Sequence, residues 1–241
     1  MQVSNVPESS SNPSPPKFLD AGDSAVIVEF GRVVDVALHD RVLALDAAVT
    51  AAKIDGVTET VPTYRSLMIY YDARSIERDQ IIARVEKLLA QTSSVLIEPK
   101  VRTIPVCYAP PHAEDLAEVA QHLNLSQDRI IDIFTNTPYR VYMFGFLPGF
   151  AYLGRLPEAI GIPRRATPRS PAQTGAVLIA AEQVVITGVT MTTGWYMIGR
   201  TPLRIFDLAR ESPFIFDVGD EVRFEPIDNA TFERLQSGHA K

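Results

Sequence analysis

Apolar positions in the first third of the chain recur with two different periods. "AVIVEF" at residues 25–30 is a strand-like run after the turn signal "DAGD". Leu38, Val42, Leu45, Val49 and Ala52 then recur at spacings of four and three, the pattern of one helix face. Asp35 is placed to cap the start of that helix. "GVTETV" (56–61) and "SLMIYY" (66–71) alternate as strands of a sheet covered on one side, joined across Pro62. Ile81, Ile82, Val85, Leu88 and Leu89 mark a second amphipathic helix with Ser75 as its expected N-cap, and "VLIEP" (95–99) adds a further strand. The order is β-α-β-β-α-β, that of a ferredoxin-like unit, which is assigned to residues 17–98.

The second half has a different texture. "VRTIPVCY" reads as a strand, Leu116, Val119, Ala120 and Leu123 as a short helix face, and Ser126 as the cap of another helix carrying Ile130, Ile131, Ile133 and Phe134. The strands "YRVYMFGF", "GAVLIAA", "QVVITGV", "WYMIGRTPLRIFD" and "DEVRFEPI" follow, punctuated by Gly and Pro. Many short strands of this kind suggest a closed or sandwiched β-architecture over residues 99–228. Residues 1–16, rich in Ser, Pro and Asn, are expected to be a disordered tail. Residues 229–241 are expected to be a C-terminal tail.

Composition narrows the classes of function. Of 241 residues, 46% are apolar and 22% charged, as in an ordinary globular protein, and the net charge of −6 argues against a nucleic-acid binder. One cysteine, Cys107, excludes an internal disulfide and a Cys-based zinc site. No apolar run approaches the ~20 residues that span a membrane. The N-terminus lacks the basic and apolar regions of a secretory signal, so a cytoplasmic location is expected.

Candidate chemistry is sparse. There is no Walker loop, G-x-G-x-x-G, H-E-x-x-H or G-x-S-x-G. No catalytic residue is assigned and no metal site is expected. His122 and Cys107 are read as packing residues. Two segments stand out. "GFLPGFAYLGRLP", residues 145–157, offers Phe146, Phe150 and Tyr152 as flat apolar surface, and its glycines permit close approach. It is either a rigid connection or the wall of a groove. "PRRATPR" sets Arg164, Arg165 and Arg169 within seven residues of an acidic chain, with Arg200 following in "IGRTP". Guanidinium forks there suit a carboxylate or a phosphate, against the plainer reading of a solvated basic loop. Trp195, the sole tryptophan, is expected to be buried and to brace the strand that carries Arg200.

"YRVYMFGFLPGFAYLGRLPEAIGIPRRATPR", "GWYMIGRTPLRIFD", "VGDEVRF" and the N-terminal "GDSAVIVEFG…GVTETVPTYRSLMIYYD" together resemble the family of the 5-oxoprolinase B component. That family is also known as allophanate hydrolase subunit 1 or KipI-like, and it is similar to part of the carboxyltransferase region of urea carboxylase. The resemblance covers about residues 18–228 and implies a small α/β domain followed by a cyclophilin-like β-barrel. It also implies a carboxyltransferase-family partner similar to the enzyme's C component, often with a protein similar to its A component. The three together hydrolyse 5-oxoproline to glutamate with ATP. ATP binding by this chain itself is shown by no motif. The span "SPAQTGAVLIAAEQVVITGVTMTTGW" keeps Gly175, Gln183, Gly194 and Trp195 of the family pattern but departs from it in the turns between.

On this resemblance the "GFLPGFAYLGRLP" segment forms one wall of the barrel groove. Polar work falls to Arg140, Arg164, Arg165, Arg169 and Arg200, with Tyr142, Phe144, Phe146, Phe150, Tyr152 and Gln183 completing the binding set. Two functions are carried forward. One is a non-autonomous subunit of an ATP-dependent hydrolase of cyclic amides or ureas. The other is a non-catalytic regulator, such as a histidine-kinase inhibitor, acting through the same groove.

Overall fold

A computed structural model describes residues 15–91 and 99–238. The expected N-terminal tail as far as residue 14, and the strand expected at 95–99 apart from its last residue, lie outside the described residues. The chain divides near residue 96 into two compact units.

In the N-terminal unit, strands β1 (Lys17–Asp20), β2 (Ala25–Glu29), β3 (Val57–Pro62) and β4 (Ser66–Tyr71) form one antiparallel sheet in the order β1-β2-β4-β3. Two helices, α1 (Val36–Ala52) and α2 (Arg78–Gln91), complete it. Alternation decides which sheet face is covered: Val26, Val28, Leu67 and Ile69 are buried against Val42, Leu45 and Val49 of α1 and Ile81 and Val85 of α2. The Asp35 side chain accepts the Leu38 N–H at 3.0 Å, capping α1 as its sequence indicates. Ser75 does not cap α2. Its hydroxyl donates to Asp72, and the helix opens three residues later at Arg78. The edge position beside β2 is taken by β1, a four-residue hairpin partner with little hydrophobic pattern. The described residues therefore form a two-helix, four-stranded antiparallel α/β unit.

The second unit is built on a closed seven-stranded barrel. Its strands are β5 (Val101–Cys107), β6 (Tyr139–Phe144), β7 (Ala151–Gly154), β9 (Ala176–Ala180), β10 (Gln183–Ile186), β12 (Tyr196–Arg200) and β13 (Glu221–Ile227). Around the barrel they run β10-β7-β6-β13-β5-β12-β9 and close back on β10. β8 (Arg169–Ala172) and β11 (Met191–Thr193) pair separately as a two-stranded ribbon. The short helices α3 (Leu116–Leu123) and α4 (Gln127–Thr135) share the barrel's core: Leu116, Val119, Ile130 and Phe134 pack in one cluster with Val106, Val141 and Ile179. Ser126 caps α4, its Oγ accepting the Arg129 N–H at 3.1 Å.

Two expectations are revised here. β12 ends at Arg200, so "TPLRIFD" is not strand but the start of a loop that returns through the Phe206–Phe214 bridge. Residues 229–238 are not a loose tail but helix α5 (Asn229–Gly238), anchored by the buried Phe232.

Aromatic packing concentrates where α4 meets the barrel. The Phe134 ring lies 4.8 Å from Phe224, 5.0 Å from Tyr139 and 6.2 Å from Tyr108, and it is wholly buried. Phe134→Ala is expected to cost about 3–5 kcal/mol of stability through lost burial and a residual cavity. Phe146→Ala, at a surface position, is expected to cost within about 0.5 kcal/mol. Denaturant unfolding followed by Trp195 emission reports on this unit and checks both. Equal losses for the two variants would contradict this placement of the core.

Candidate functional site

Several barrel strands are covered on both faces, and the site grows from that fact. Along β9, Val177 and Ile179 point into the barrel core, whereas Ala176, Leu178 and Ala180 belong to a second cluster on the outside. β7 and β10 divide in the same way, with Leu153 and Val184 inside and Tyr152 and Val185 outside. On β12, Tyr196 and Ile198 face in and Met197 faces out. The β8–β11 ribbon contributes Ala172 and Met191 to the outer cluster, which Phe150 and Trp195 complete. All five residues of β9 are buried as a result.

The turn before β7 sets one margin of this outer face. Gly145 N–H donates to Phe150 O at 3.2 Å and Phe150 N–H to Leu147 O at 3.0 Å. Leu147 N–H donates to Gly145 O at 2.8 Å, a γ-turn centred on Phe146, whose φ is +67°. Positive φ at a bulky residue costs on the order of 1–3 kcal/mol, and here it leaves the ring 72% exposed. Gly149 must be glycine: its φ is +73°, and a Cβ would fall 2.4 Å from Phe206 Cβ and 3.0 Å from Gly188 Cα. From this margin an edge-to-face series runs inward. Phe146 lies 5.5 Å from Phe150, which lies 5.0 Å from Tyr152 and 6.4 Å from Trp195.

Arg164 lies over the end of that series. Its Cζ is 5.2 Å from the Trp195 ring centroid, a cation–π placement. The side chain is exposed, and among the described residues no carboxylate is paired with it. Burial raises the pKa of the Tyr152 phenol, and the positive charge of Arg164 works against that rise. Trp195 itself is 6% exposed, the buried position its sequence suggests.

Arg165, the next residue, turns to a different task. Its Nη2 donates to Asp115 Oδ1 at 2.9 Å and also pairs with Glu118, and its Cζ lies 4.5 Å above the Tyr196 ring. Asp115 is buried and doubly tied to β12: its Oδ2 accepts the Met197 N–H at 2.7 Å, and its own N–H donates to Met197 O at 3.0 Å. Arg165 N–H also donates to Gly194 O at 2.8 Å. The residue thus joins the 163–169 loop, the start of α3 and β12.

Arg200 has a third set of partners. Its Nε donates to Thr174 O at 3.0 Å, and its Cζ lies 5.4 Å from the Phe232 ring of α5. His112 stacks on the other partner of that contact, 3.8 Å from Phe232. Burial lowers the pKa of both Arg200 and His112, and the nearby Arg200 charge lowers that of His112 further. In register, Arg200 stands opposite Ala176 and so flanks the outer cluster. The backbone of Arg169 pairs with Thr193 in the ribbon. Arg164, Arg165 and Arg200 therefore do not share one contact point.

Of the remaining sequence-derived residues, Phe144 packs against Phe214 at 4.6 Å and lies beside the inner core. Tyr142 is buried over Gly154, where a Cβ would meet its ring at 2.7 Å. Arg140 pairs in register with Gly154 and Glu221, and Gln183 opens β10 opposite Ala180. What the fold brings together is Phe146, Phe150, Tyr152 and Arg164, with Trp195 as the platform. Trp195 is absent from the sequence-derived binding set. Among the described residues no group of three or more His, Cys, Asp and Glu is placed to hold a metal ion, and no helix is long and apolar enough to cross a membrane.

The two neighbouring arginines should separate cleanly by mutation. Arg165→Met removes the guanidinium that donates to the buried Asp115 and is expected to cost about 3 kcal/mol of stability. Arg164→Met removes an exposed cation–π contact and is expected to cost about 0.5–1 kcal/mol. Thermal unfolding of both variants checks this. A larger loss for Arg164→Met would reverse the assignment.

Comparison with known proteins follows the same fold. The family model for the carboxyltransferase domain, subdomain C and D, matches residues 16–216. The B component of 5-oxoprolinase from Bacillus subtilis (strain 168), named as a subunit of that enzyme, is 32% identical over 222 residues, 88% of this chain and 92% of the relative. The solved structure of TTHA0988 is 32% identical and superposes with a TM-score of 0.76, covering 85% of this chain and 40% of that one. The urea carboxylase of Kluyveromyces lactis superposes with a TM-score of 0.72 over 93% of this chain and 23% of its own; at 18% identity it shows a shared fold. This chain thus spans less than half the length of either solved structure. It belongs to the carboxyltransferase domain, subdomain C and D, family.

Proposed function

We propose that this chain is one subunit of an ATP-dependent amide hydrolase of the 5-oxoprolinase kind, opening the lactam of 5-oxoproline to glutamate only within a complex. The observation that carries the reading is the outer barrel face, where the exposed Arg164 lies over Trp195 beside Phe150 and Tyr152. The relative that matches this chain over 92% of its own length is named as one part of a larger enzyme, which supports a shared complex. The partners are a carboxyltransferase-family protein similar to the C component of 5-oxoprolinase and, in the larger assembly, a protein similar to its A component.

The chemistry divides naturally between chains. A flat lactam ring lies against the partly exposed Tyr152, and the Arg164 fork takes its carboxylate in two charge-assisted hydrogen bonds. ATP is a substrate of the assembly: transfer of its terminal phosphoryl group to the amide oxygen releases ADP and activates the carbonyl, a first water adds and the C–N bond breaks with protonation of the nitrogen to leave an acyl phosphate, and a second water hydrolyses that to glutamate and phosphate. Those steps require proton transfers. Beside this face, Asp115 and Glu118 are both engaged by Arg165, so the acid and base come from the partner. Phe146, held out to solvent by its turn, is an aromatic anchor of the type that dominates protein interfaces. An interface of roughly 800 Å² per partner suffices for a stable pair.

The test is phosphate release and glutamate formation from 5-oxoproline and ATP, measured for this chain, for the C-like and A-like partners, and for the mixture of all three. Turnover is expected in the mixture alone. Arg164→Ala in the mixture is expected to raise KM for 5-oxoproline by about tenfold to a hundredfold, the loss of a hydrogen bond to a charged group. Turnover by the isolated chain would contradict the divided site. No turnover in the mixture would contradict the hydrolase reading itself.

A further inference from the structure

The barrel has a seam away from the Arg164 face. β5 pairs with β13 along its whole length, from Val101 opposite Glu221 to Cys107 opposite Ile227. On its other side it pairs with β12 at one position, Cys107 opposite Arg200. Upstream of Cys107 the segment 203–215 runs alongside β5 instead, and between them lies a cleft of about 530 Å³. Val101, Ile104, Leu203 and Ile215 give it apolar walls. Arg102, Arg204 and Arg210 are the charged residues that line it, with no acidic side chain among the lining.

The three guanidinium groups are held to different degrees. Arg102 is fixed: its Nε donates to Asp220 at 2.8 Å and its Nη2 to Asp217 at 3.4 Å. Arg204 is loosely held, its Nη1 3.6 Å from Asp207 with more than half of the side chain exposed. Arg210 Nη1 is shut off from solvent, yet it donates to no acceptor among the described residues. A buried N–H without an acceptor is rare in a native fold and calls for a partner. Asp207 can release Arg204 without being stranded, because it also accepts the Ala209 N–H at 3.0 Å.

We propose that this cleft is a binding site for a small monocarboxylate with an aliphatic body. The carboxylate accepts from Arg204 and from the Arg210 guanidinium, whose Nη1 turns out into the cleft as the ligand enters, Arg102 stands as a fixed positive wall, and the aliphatic part lies on Val101, Leu203 and Ile215. The pairing favours a monoanion. Asp217 and Asp220 hold Arg102 and Asp207 holds Arg204, so among the described residues Arg210 is the one lining guanidinium not ion-paired to a carboxylate, a single charge that suits a monocarboxylate better than a dianionic phosphate. The site shares no residue with the Arg164 face and stands whether or not that face binds 5-oxoproline.

The test uses the full chain titrated with hexanoate, hexanol and inorganic phosphate, followed by backbone amide shifts in NMR. Hexanoate is expected to give saturable shifts at residues 101–104 and 203–215, with hexanol and phosphate each binding more weakly. Arg210→Gln is expected to weaken hexanoate by about tenfold or more, the loss of a charge-assisted bond. Arg129→Gln, at a surface ion pair with Asp132, is expected to leave it unchanged. Should Arg210→Gln not fold, Arg204→Gln at the exposed position is expected to weaken hexanoate severalfold. Unchanged affinity in the folded Arg210 or Arg204 variant, absence of saturable shifts in the cleft, or equal weakening by Arg129→Gln would overturn the proposal. Tighter binding of phosphate than of hexanoate would overturn the carboxylate assignment.

Discussion

The ion pair between Arg165 and Asp115 is the contact on which the geometry of the second unit turns. Asp115 is buried at the start of α3 and would be costly there alone. Its carboxylate accepts from the Met197 N–H and the Arg165 guanidinium, and its own backbone N–H donates to Met197 O. Those bonds bring α3, the 163–169 loop and β12 to one place. Because Arg165 is tied inward, its neighbour Arg164 emerges on the opposite side, over Trp195. One arginine shapes the face and the other is left exposed on it.

The face itself follows from strands buried on both sides. β7, β9, β10 and β12 send alternate residues to the barrel core and to the outer cluster, so the same pattern that closes the barrel also builds a second apolar cluster outside it, which Phe150 and Trp195 complete. The ribbon of β8 and β11 covers part of that surface, and the γ-turn at Phe146 bounds another part. Variation in the ribbon and turns can therefore alter what binds without touching the barrel.

Much of the framework was legible from the sequence because it is local. Asp35 and Ser126 sit where the cap of a helix must be, and both make the expected bond. The apolar runs at 101–108, 139–146 and 221–227 became barrel strands. What escaped was short or non-local. β7 hides inside a Gly- and Pro-rich segment, α5 rests on a single buried aromatic, and β8 and β11 have three or four residues each. The roles of Arg164 and Arg165 could not be separated by reading along the chain. Their difference depends on Asp115, fifty residues earlier, and on which side of β12 each faces. The apolar walls of the outer face were hidden for a related reason: a strand apolar at every position does not show which face is the core.

A double-mutant cycle on Arg165 and Asp115 tests the central claim most directly. Arg165→Met, Asp115→Asn and the pair would be compared by denaturant unfolding of the barrel unit, with Asn retaining an acceptor for the Met197 N–H. The account predicts a favourable coupling of about 1–3 kcal/mol, as for residues sharing one buried charge network. Additive losses, with a coupling of about zero, would contradict it and detach Arg164 from the support assigned to it here.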